Sequence, residues 1–440
     1  MRGNEMTLLS GDASVTTPAG GRPATAGRRE FIALVTSMMA MGALGIDLML
    51  PTFPDMRREF GMAADASQVG WIVTAFFLGM AVGPWLYGPV SDRYGRRRPL
   101  FAGLVLYIAS ALVAAIAPSF GWIVAARFVW GLGAAAPRSL SLAMIRDRFE
   151  GDVMARLMSM IMAVFLLVPI IAPSLGAGLN VIAPWRIVFW LPAVAASGLL
   201  IWAVRRLPET LTPERQRPFT RAALLDAGRA VVTNRQTVCF TLAITFLFGL
   251  MTSYLASSEL ILDDVYGYTT WFPLFFGCIA VLLAASSLNN ARLVGKLGVT
   301  RLIRRTALVL LGVTVLLLTV TLVTGGHPAF WLFALTVALV IPVAQGMIPN
   351  CNTAAMMPVP HVAGTAAAII GTVTTAGGSL LGGAVSGAFD GTTRPFAIGI
   401  SAYVIIAVAL ILFGATSPVG RYASVGSLTP EMSDIPLAFD

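Results

Sequence analysis

Long apolar runs recur along the whole chain, and they constrain its fold more than any other feature. About twelve windows of roughly 18 or more apolar residues occur, and a helix of that length crosses the hydrocarbon layer of a bilayer. With 57% hydrophobic and 12% charged residues among 440, the chain is too apolar for a water-soluble protein. The sequence therefore predicts an all-α integral membrane protein with twelve transmembrane helices. The approximate limits of the runs are 31–54, 67–88, 99–117, 121–142, 154–178, 186–204, 237–257, 270–289, 303–324, 329–348, 363–388 and 395–415.

A polar, arginine-rich segment at 205–236 divides the runs into two groups of six. The first run starts at 31 and the seventh at 237, while the basic loop after the second run starts at 88 and its counterpart at 291. Because the two offsets are nearly equal, we expect two six-helix pseudo-repeats around a central cavity. The predicted divisions are a disordered cytoplasmic arm at 1–30, an N-terminal bundle at 31–206, a cytoplasmic linker at 207–236, a C-terminal bundle at 237–416 and a disordered cytoplasmic tail at 417–440.

The basic residues are distributed unevenly between the loops. Most of the 30 Lys and Arg lie in the two terminal segments and in alternate loops, such as 93–98 and 292–305. Since basic loops favour the cytoplasmic side of a membrane, we expect both termini in the cytoplasm. The net charge of +9 is therefore assigned to topology and not to nucleic-acid binding. Residues 1–28 lack the apolar core of a signal peptide, so the first run is expected to act as an uncleaved insertion signal.

One acidic residue, Asp47, interrupts the first apolar run. A charged side chain at bilayer depth is costly and is read as functional by default. The fourth run carries Arg127 about six residues from its start, roughly 9 Å along a helix; because buried charges in membranes pair, we expect Asp47 and Arg127 to meet. Burial disfavours an ionised carboxylate and a nearby cation favours it, so Asp47 is suited to gain and lose a proton. A purely structural ion pair is the alternative.

The loop after the second run reads GPVSDRYGRRRP over residues 88–99. Gly88 would allow two helices to approach closely, Asp92 is placed to accept hydrogen bonds from arginine side chains, and Gly95 permits a turn with positive φ. A basic loop that only sets topology is the alternative. The equivalent stretch of the second half, 291–298, lacks the acid. The candidate residues in this loop are Gly88, Asp92, Arg93, Gly95, Arg96 and Arg97.

Prolines and small residues are interspersed in the fifth run. Proline removes a backbone hydrogen bond, and Gly and Ala allow close helix contact, so the stretch can bend and seal against a neighbour. An ordinary kinked helix is the alternative. The residues concerned are Pro169, Ala172, Pro173, Gly176 and Gly178.

Three further residues, Trp130, Arg138 and Tyr254, are candidates for lining a cavity. Arg138 lies close to three helical turns after Arg127 and projects from the same face, but it is near a helix end and can also extend to the headgroups. For the two aromatic residues, packing in the core or against lipid is the alternative. Glu259, after the seventh run, is expected to be solvated, with a gate at the exit as the alternative.

Taken together, these motifs resemble the major facilitator superfamily. The 88–99 loop is similar to its G-x-x-x-D-R-x-G-R-R signature, and residues 127–131 resemble its R-x-x-Q-G motif with Trp130 in place of Gln. Residues 169–178 resemble the G-P-x-x-G-G motif of its antiporters. Within the superfamily, the chain looks like the twelve-span drug:proton antiporters that export bicyclomycin, chloramphenicol and florfenicol. That finer similarity lies in residues 47–51, 185–189, 207–210, 349–350 and 361–365.

The resemblance implies a proton-coupled exporter of small lipophilic drugs that works by alternating access in a bacterial inner membrane. It implies that Asp47 exchanges the proton and that the 88–99 loop latches the cytoplasmic gate in the outward-open state. We expect a monomer that needs no metal and no cofactor besides the proton gradient. The alternative on the same fold is an exporter or proton symporter of an endogenous metabolite. The sequence has neither a Ser/His/Asp set nor a polar segment of domain length, so an enzyme or receptor is not expected.

Overall fold

A computed structural model of the chain describes residues 27–149, 151–211, 221–268 and 271–415. These residues form helices and no strand, which confirms the all-α class. Eleven helical segments among them are long and apolar enough to cross a membrane, and Leu167–Ile182 is a shorter apolar stretch. Most of the predicted arm, the 212–220 part of the linker and the tail after 415 lie outside the described residues.

The helices are α1 (Arg28–Asp47), α2 (Phe53–Glu59), α3 (Trp71–Tyr94), α4 (Arg97–Ala115), α5 (Phe120–Arg148), α6 (Gly151–Ile182), α7 (Ile187–Arg206), α8 (Arg221–Thr233), α9 (Arg235–Leu260), α10 (Phe272–Leu297), α11 (Val299–Val323), α12 (Phe330–Met356), α13 (Ala363–Gly387) and α14 (Arg394–Ala415).

The first membrane segment is interrupted by a change of helix type. It extends over Arg28–Glu59 and passes from α1 through a 3₁₀ turn at Leu50–Thr52 into α2. Pro51 has no backbone N–H and cannot bond to the carbonyl of Asp47, so the α-helical ladder stops there. Helix α1 ends at Asp47, and the carbonyl groups of its last turn are left available to other donors.

Helix α5 packs closely against α3 and α4 because glycines line both contacts. A Cβ atom on Gly131 would lie 1.9 Å from the carbonyl oxygen of Phe76 in α3. A Cβ atom on Gly133 would lie 2.6 Å from the backbone nitrogen of Tyr107 in α4. Since any side chain at these positions would push the helices apart, glycine sets their separation. This packing fixes the orientation of α5, which carries Arg127.

In the second group of helices, α9 packs against α12, α13 and α14. The hydroxyl of Thr252 on α9 donates to the carbonyl oxygen of Gly378 on α13 over 2.7 Å. Such close helix contact between small residues is typical of membrane interiors. The linker between the groups contains α8, whose Val231 packs against Val359 and Ala366 beside α13.

The two groups of helices meet along α3 with α13 and along α6 with α10. Near the start of α3, a Cβ atom on Gly70 would lie 2.5 Å from the Ser386 hydroxyl at the end of α13. Further along, the Thr372 hydroxyl donates to the carbonyl oxygen of Ala81 over 2.8 Å. We call the face that contains Arg57, Gly70 and the end of α13 the Arg57 end, and the opposite face the Asp92 end. The helix groups are therefore closed at the Arg57 end.

Candidate functional site

Asp47 is the last residue of α1, just before the first membrane segment passes into the 3₁₀ turn, and its side chain is buried. Its carboxylate makes no hydrogen bond or ion pair with the described part of the chain. A buried carboxylate without a bonded partner is costly in its ionised form, because nothing replaces its lost hydration. The break in the helix therefore presents an acid that has a strong physical reason to bind a proton.

Arg127 on α5 is completely buried, and two of its three guanidinium nitrogens have hydrogen-bond partners, while Nη2 has none among the described residues. Nη1 donates to the carbonyl oxygen of Gly45 over 2.6 Å, and Nε donates to that of Ile72 over 3.4 Å. The guanidinium carbon lies 4.2 Å from the ring centroid of Phe76 and 4.8 Å from that of Trp130. Carbonyl dipoles and aromatic faces both attract a cation, so the charge is stabilised without a carboxylate in contact.

The predicted direct contact between Asp47 and Arg127 is not formed. The described residues contain no ion pair between them within 4.0 Å, although the two groups interact electrostatically. The reason is the end of α1: the Gly45 carbonyl lies in its last turn, where the helix itself supplies no donor, and it takes the guanidinium. The structure thus brings the two charges together without bonding them.

Tyr254 approaches Asp47 from the second group of helices. Its hydroxyl interacts electrostatically with Asp47, is buried, and has no hydrogen-bond partner among the described residues. Its ring stacks on Phe276, with centroids 5.4 Å apart. Ser253, the position that matches Asp47 in the second half, is buried and uses its hydroxyl on the Gly249 carbonyl. A polar group from each half therefore faces the same buried region.

The two other predicted cavity residues have different surroundings. Trp130 is 1% exposed and lies inside the first group of helices, edge-on to Phe76, Tyr107 and Phe189. It therefore supports Arg127 from within the bundle. Arg138 is exposed, and its Nη1 donates to the sulfur of Met80 over 3.3 Å.

The fifth-run motif lies against the break in the first segment. A Cβ atom on Gly176 would lie 2.0 Å from the carbonyl oxygen of Leu48, the residue after Asp47. Ala172 is buried, and Pro169 and Pro173 lie within an uninterrupted α6. Gly178 has open space around its Cα. Gly176 is thus the member of the motif that makes the predicted close contact.

At the Asp92 end, Arg96 is the centre of a charged cluster. Its Nη1 donates to Asp92 over 2.5 Å and to the Ser91 hydroxyl over 2.8 Å, and its Nε donates to Asp147 over 3.0 Å. Burial lowers the pKa of the Arg96 guanidinium, but its hydrogen bonds to Asp147 and Asp92 outweigh burial and raise the pKa overall. Arg96 therefore stays charged and ties the end of α3 to the end of α5.

Glu209 completes this cluster and caps α4. Its carboxylate accepts from the backbone N–H groups of Arg96, over 2.8 Å, and Arg97, over 3.1 Å. The first N–H groups of a helix lack partners within the helix and attract an anion. Gly95 has a φ of +90°, and a Cβ atom there would lie 2.6 Å from a Glu209 oxygen. Glycine at 95 therefore serves both the turn and the cap.

The remaining predicted loop residues are less engaged. Arg93 lies over the ring of Tyr94, and Arg97 donates to the Val204 carbonyl over 3.0 Å. The predicted close helix approach at Gly88 is wrong: a Cβ atom there would have no described neighbour within 4 Å. The contacts of α3 with α13 lie earlier in α3, where Thr74 meets Gly383 and the Ala81 carbonyl accepts from Thr372.

Sequence reasoning missed Asp147, Glu209 and the pairing of Arg57 with Glu259. The expected solvation of Glu259 is wrong, since its side chain is 3% exposed and forms an ion pair with Arg57. The sequence signal for Glu209 was its place in the 207–210 stretch. Within the described residues, no cluster of three or more His, Cys, Asp or Glu side chains is arranged to hold a metal.

A multi-span helical membrane protein with a broken first helix and buried charges at the break has the architecture of a secondary transporter. The chain belongs to the Major Facilitator Superfamily, whose family model matches residues 31–382. It is therefore a transporter of small molecules and not an enzyme.

Known relatives are similar over most of the chain. An uncharacterized MFS-type transporter of Bacillus subtilis, YdgK, is 29% identical over 81% of this chain and 89% of its own length. A bicyclomycin resistance protein homolog of Haemophilus influenzae is 29% identical over 87% and 95%. Among solved structures, the peptide transporter POT in complex with sulfate has a TM-score of 0.72 at 14% identity, over 91% of this chain and 97% of its own. The last similarity concerns the fold alone.

Proposed function

We propose that the protein is a proton-coupled antiporter that exports small lipophilic drugs by alternating access. The observation that carries the proposal is Asp47: an unbonded, buried carboxylate at the break in α1, near Arg127 and Tyr254. A proton on Asp47 removes the cost of burying a charged carboxylate. When either end opens to water, the carboxylate can release that proton and become charged again. The cited Haemophilus relative, named for bicyclomycin resistance, supports an antibiotic as cargo.

In this proposal, residues 31–206 and 237–416 are two bundles that rock about the Asp47 region. The Asp92 end faces the cytoplasm of a bacterium, with both termini on that side and the protein in the inner membrane as a monomer. The conformation closed at the Arg57 end is then the one that takes drug from the cytoplasm. Tyr254 and Arg138 contact cargo, and the Arg96 cluster closes the cytoplasmic side in the opposite state. The helix contact at Gly176 transmits the protonation state of Asp47 to α6.

Drug susceptibility in an efflux-deficient bacterial host tests the proposal. Expression of the wild type is expected to raise resistance to at least one of chloramphenicol, florfenicol and bicyclomycin. Asp47→Asn keeps the side-chain shape but cannot exchange a proton, so resistance is expected to fall to the level of the empty vector at equal membrane expression. Asp55→Asn, the same change later in the first membrane segment, is the matched control and is expected to retain resistance. Full resistance from Asp47→Asn would contradict the proton-coupling role.

A further inference from the structure

A buried ion pair joins the two groups of helices at the Arg57 end. Arg57 lies on α2 and Glu259 near the end of α9, 202 positions apart in sequence. Nη1 donates to Oε1 over 3.1 Å and Nη2 donates to Oε2 over 2.5 Å, while Nε donates to the Ala66 carbonyl over 3.2 Å. The two side chains are 2% and 3% exposed. The two Nη nitrogens therefore have their carboxylate partner only while the helix groups are together, whereas the bond of Nε lies within the first group.

Next to the ion pair lie buried hydroxyl groups that lack hydrogen-bond partners in the described part of the chain, and such groups are uncommon in a core that stays dry. The hydroxyls of Ser257 and Ser258, beside Glu259, are buried and have no hydrogen-bond partner among the described residues. Buried polar groups without partners cost free energy that water would restore. Within the second group of helices, the Ser386 hydroxyl on α13 donates to the Ala256 carbonyl on α9 over 3.1 Å, at the place where Gly70 of the first group approaches both residues. These groups are suited to an interface that is dry in one state and wet in another.

The energetics of a buried ion pair suit the same role. Removing two charges from water costs about as much as their attraction returns, so such a pair adds little net stability. If the Arg57 end opens, both charges regain water and little free energy is lost. If one partner is removed, however, the other is left charged and unpaired in the closed state, which penalises that state strongly. The pair can therefore hold the end closed and still be broken in each cycle.

We infer that Arg57 and Glu259 form the gate at the Arg57 end and that their ion pair must break for this end to open. The inference rests on alternating access in the proposed function, and it does not depend on the identity of the cargo or on proton exchange at Asp47. Both residues hold the helix groups together in the closed state and are not proposed to contact cargo. The exposed pair of Arg186 with Glu59 lies within the first group of helices and serves as a natural comparison, since it joins nothing across the closure.

Cysteine accessibility tests the gate without any transport measurement. Ser257→Cys is the reporter, because its hydroxyl makes no bond that the substitution would lose. It is placed in a background in which Cys239, Cys278 and Cys351 are changed to Ala. The reaction rate with a membrane-impermeant maleimide is measured on right-side-out and inside-out vesicles, so the result does not depend on orientation. Glu259→Gln is expected to raise the rate from the Arg57 side by about tenfold or more, and Glu59→Gln to leave it unchanged.

A charge exchange separates gating from a loss of folding. Arg57→Glu combined with Glu259→Arg restores an opposite-charge pair and is expected to return the labelling rate towards that of the wild type. The inference is overturned if Glu259→Gln in membranes is labelled at the wild-type rate, or if Glu59→Gln accelerates labelling equally. If Glu259→Gln fails to insert and the charge exchange inserts but does not slow labelling below that of Arg57→Gln, the gate is likewise ruled out. Because no substrate is used, these outcomes are independent of whether the drug-export proposal holds.

Discussion

Asp47 and Arg127 divide their roles at the break in α1. The guanidinium of Arg127 is held by the Gly45 carbonyl and by the faces of Phe76 and Trp130, while its Nη2 has no hydrogen-bond partner among the described residues. Asp47 is left without a bonded partner. An acid that formed a tight ion pair would resist protonation. The absence of such a pair among the described residues therefore favours a carboxylate that can change its protonation state.

Gly176 lies against this break, and its lack of a side chain is expected to be required for the contact of α6 with α1. Gly176→Ala is expected to destabilise the protein by about 1–3 kcal/mol, because the new methyl group would overlap the Leu48 carbonyl and force α6 away from α1. Thermal unfolding of the purified protein in detergent measures this change. Gly178→Ala, two residues later in open space, is the matched control and is expected to unfold near the wild-type temperature. Equal unfolding temperatures for all three proteins would show that the contact at Gly176 is not tight.

At the scale of helices, the start of α4 is stabilised by a residue from a distant segment. Glu209, after α7, accepts from the first N–H groups of α4, and Asp147, at the end of α5, binds Arg96 at the same place. Three helices are thereby joined at the Asp92 end through one arginine and one cap. A helix N-terminus favours an anion because its N–H groups are unsatisfied.

Removing the Glu209 cap is expected to weaken the start of α4. Glu209→Ala removes the acceptor for two backbone N–H groups and is expected to cost about 0.5–2 kcal/mol of stability, with a matching fall in unfolding temperature. Asp226→Ala, at an exposed position of α8, is the control. Hydrogen exchange of the Arg96 and Arg97 amides should accelerate in Glu209→Ala and not in the control. Unchanged exchange at those amides would refute the capping role.

The sequence predicts local features of the site well and distant pairings poorly. Asp47 was identifiable because a lone acid in an apolar run is conspicuous, and Asp92 with Arg96 because they lie within one short loop. The partners Asp147, Glu209 and Glu259 lie 51, 113 and 202 positions from the arginines they bind. No local pattern specifies such pairs, since they depend on how helices pack. The carbonyl partner of Arg127 could not be predicted, because it requires both the end of α1 near Gly45 and the packing of α5 against that end.

At the scale of the whole molecule, the helix groups are in contact at the Arg57 end, and near the Asp92 end a Cβ atom on Gly88 would have no described neighbour within 4 Å. The buried acid lies between these regions, so a movement that opened one end and closed the other would change its access to water. In the proposed function, this change of access, together with cargo, drives proton exchange at Asp47. Because Asp47 interacts with Arg127 only at a distance, its carboxylate can exchange a proton without first breaking an ion pair.

Proton flux in proteoliposomes is a direct measure of proton coupling through Asp47. Purified wild-type protein is reconstituted with a pH-sensitive dye in the lumen, and a resistance substrate found in the susceptibility assay is added on one side. We predict a substrate-dependent change in lumenal pH for the wild type and for Asp55→Asn, and none above empty liposomes for Asp47→Asn. Undiminished substrate-driven proton flux through Asp47→Asn would contradict proton coupling at this residue.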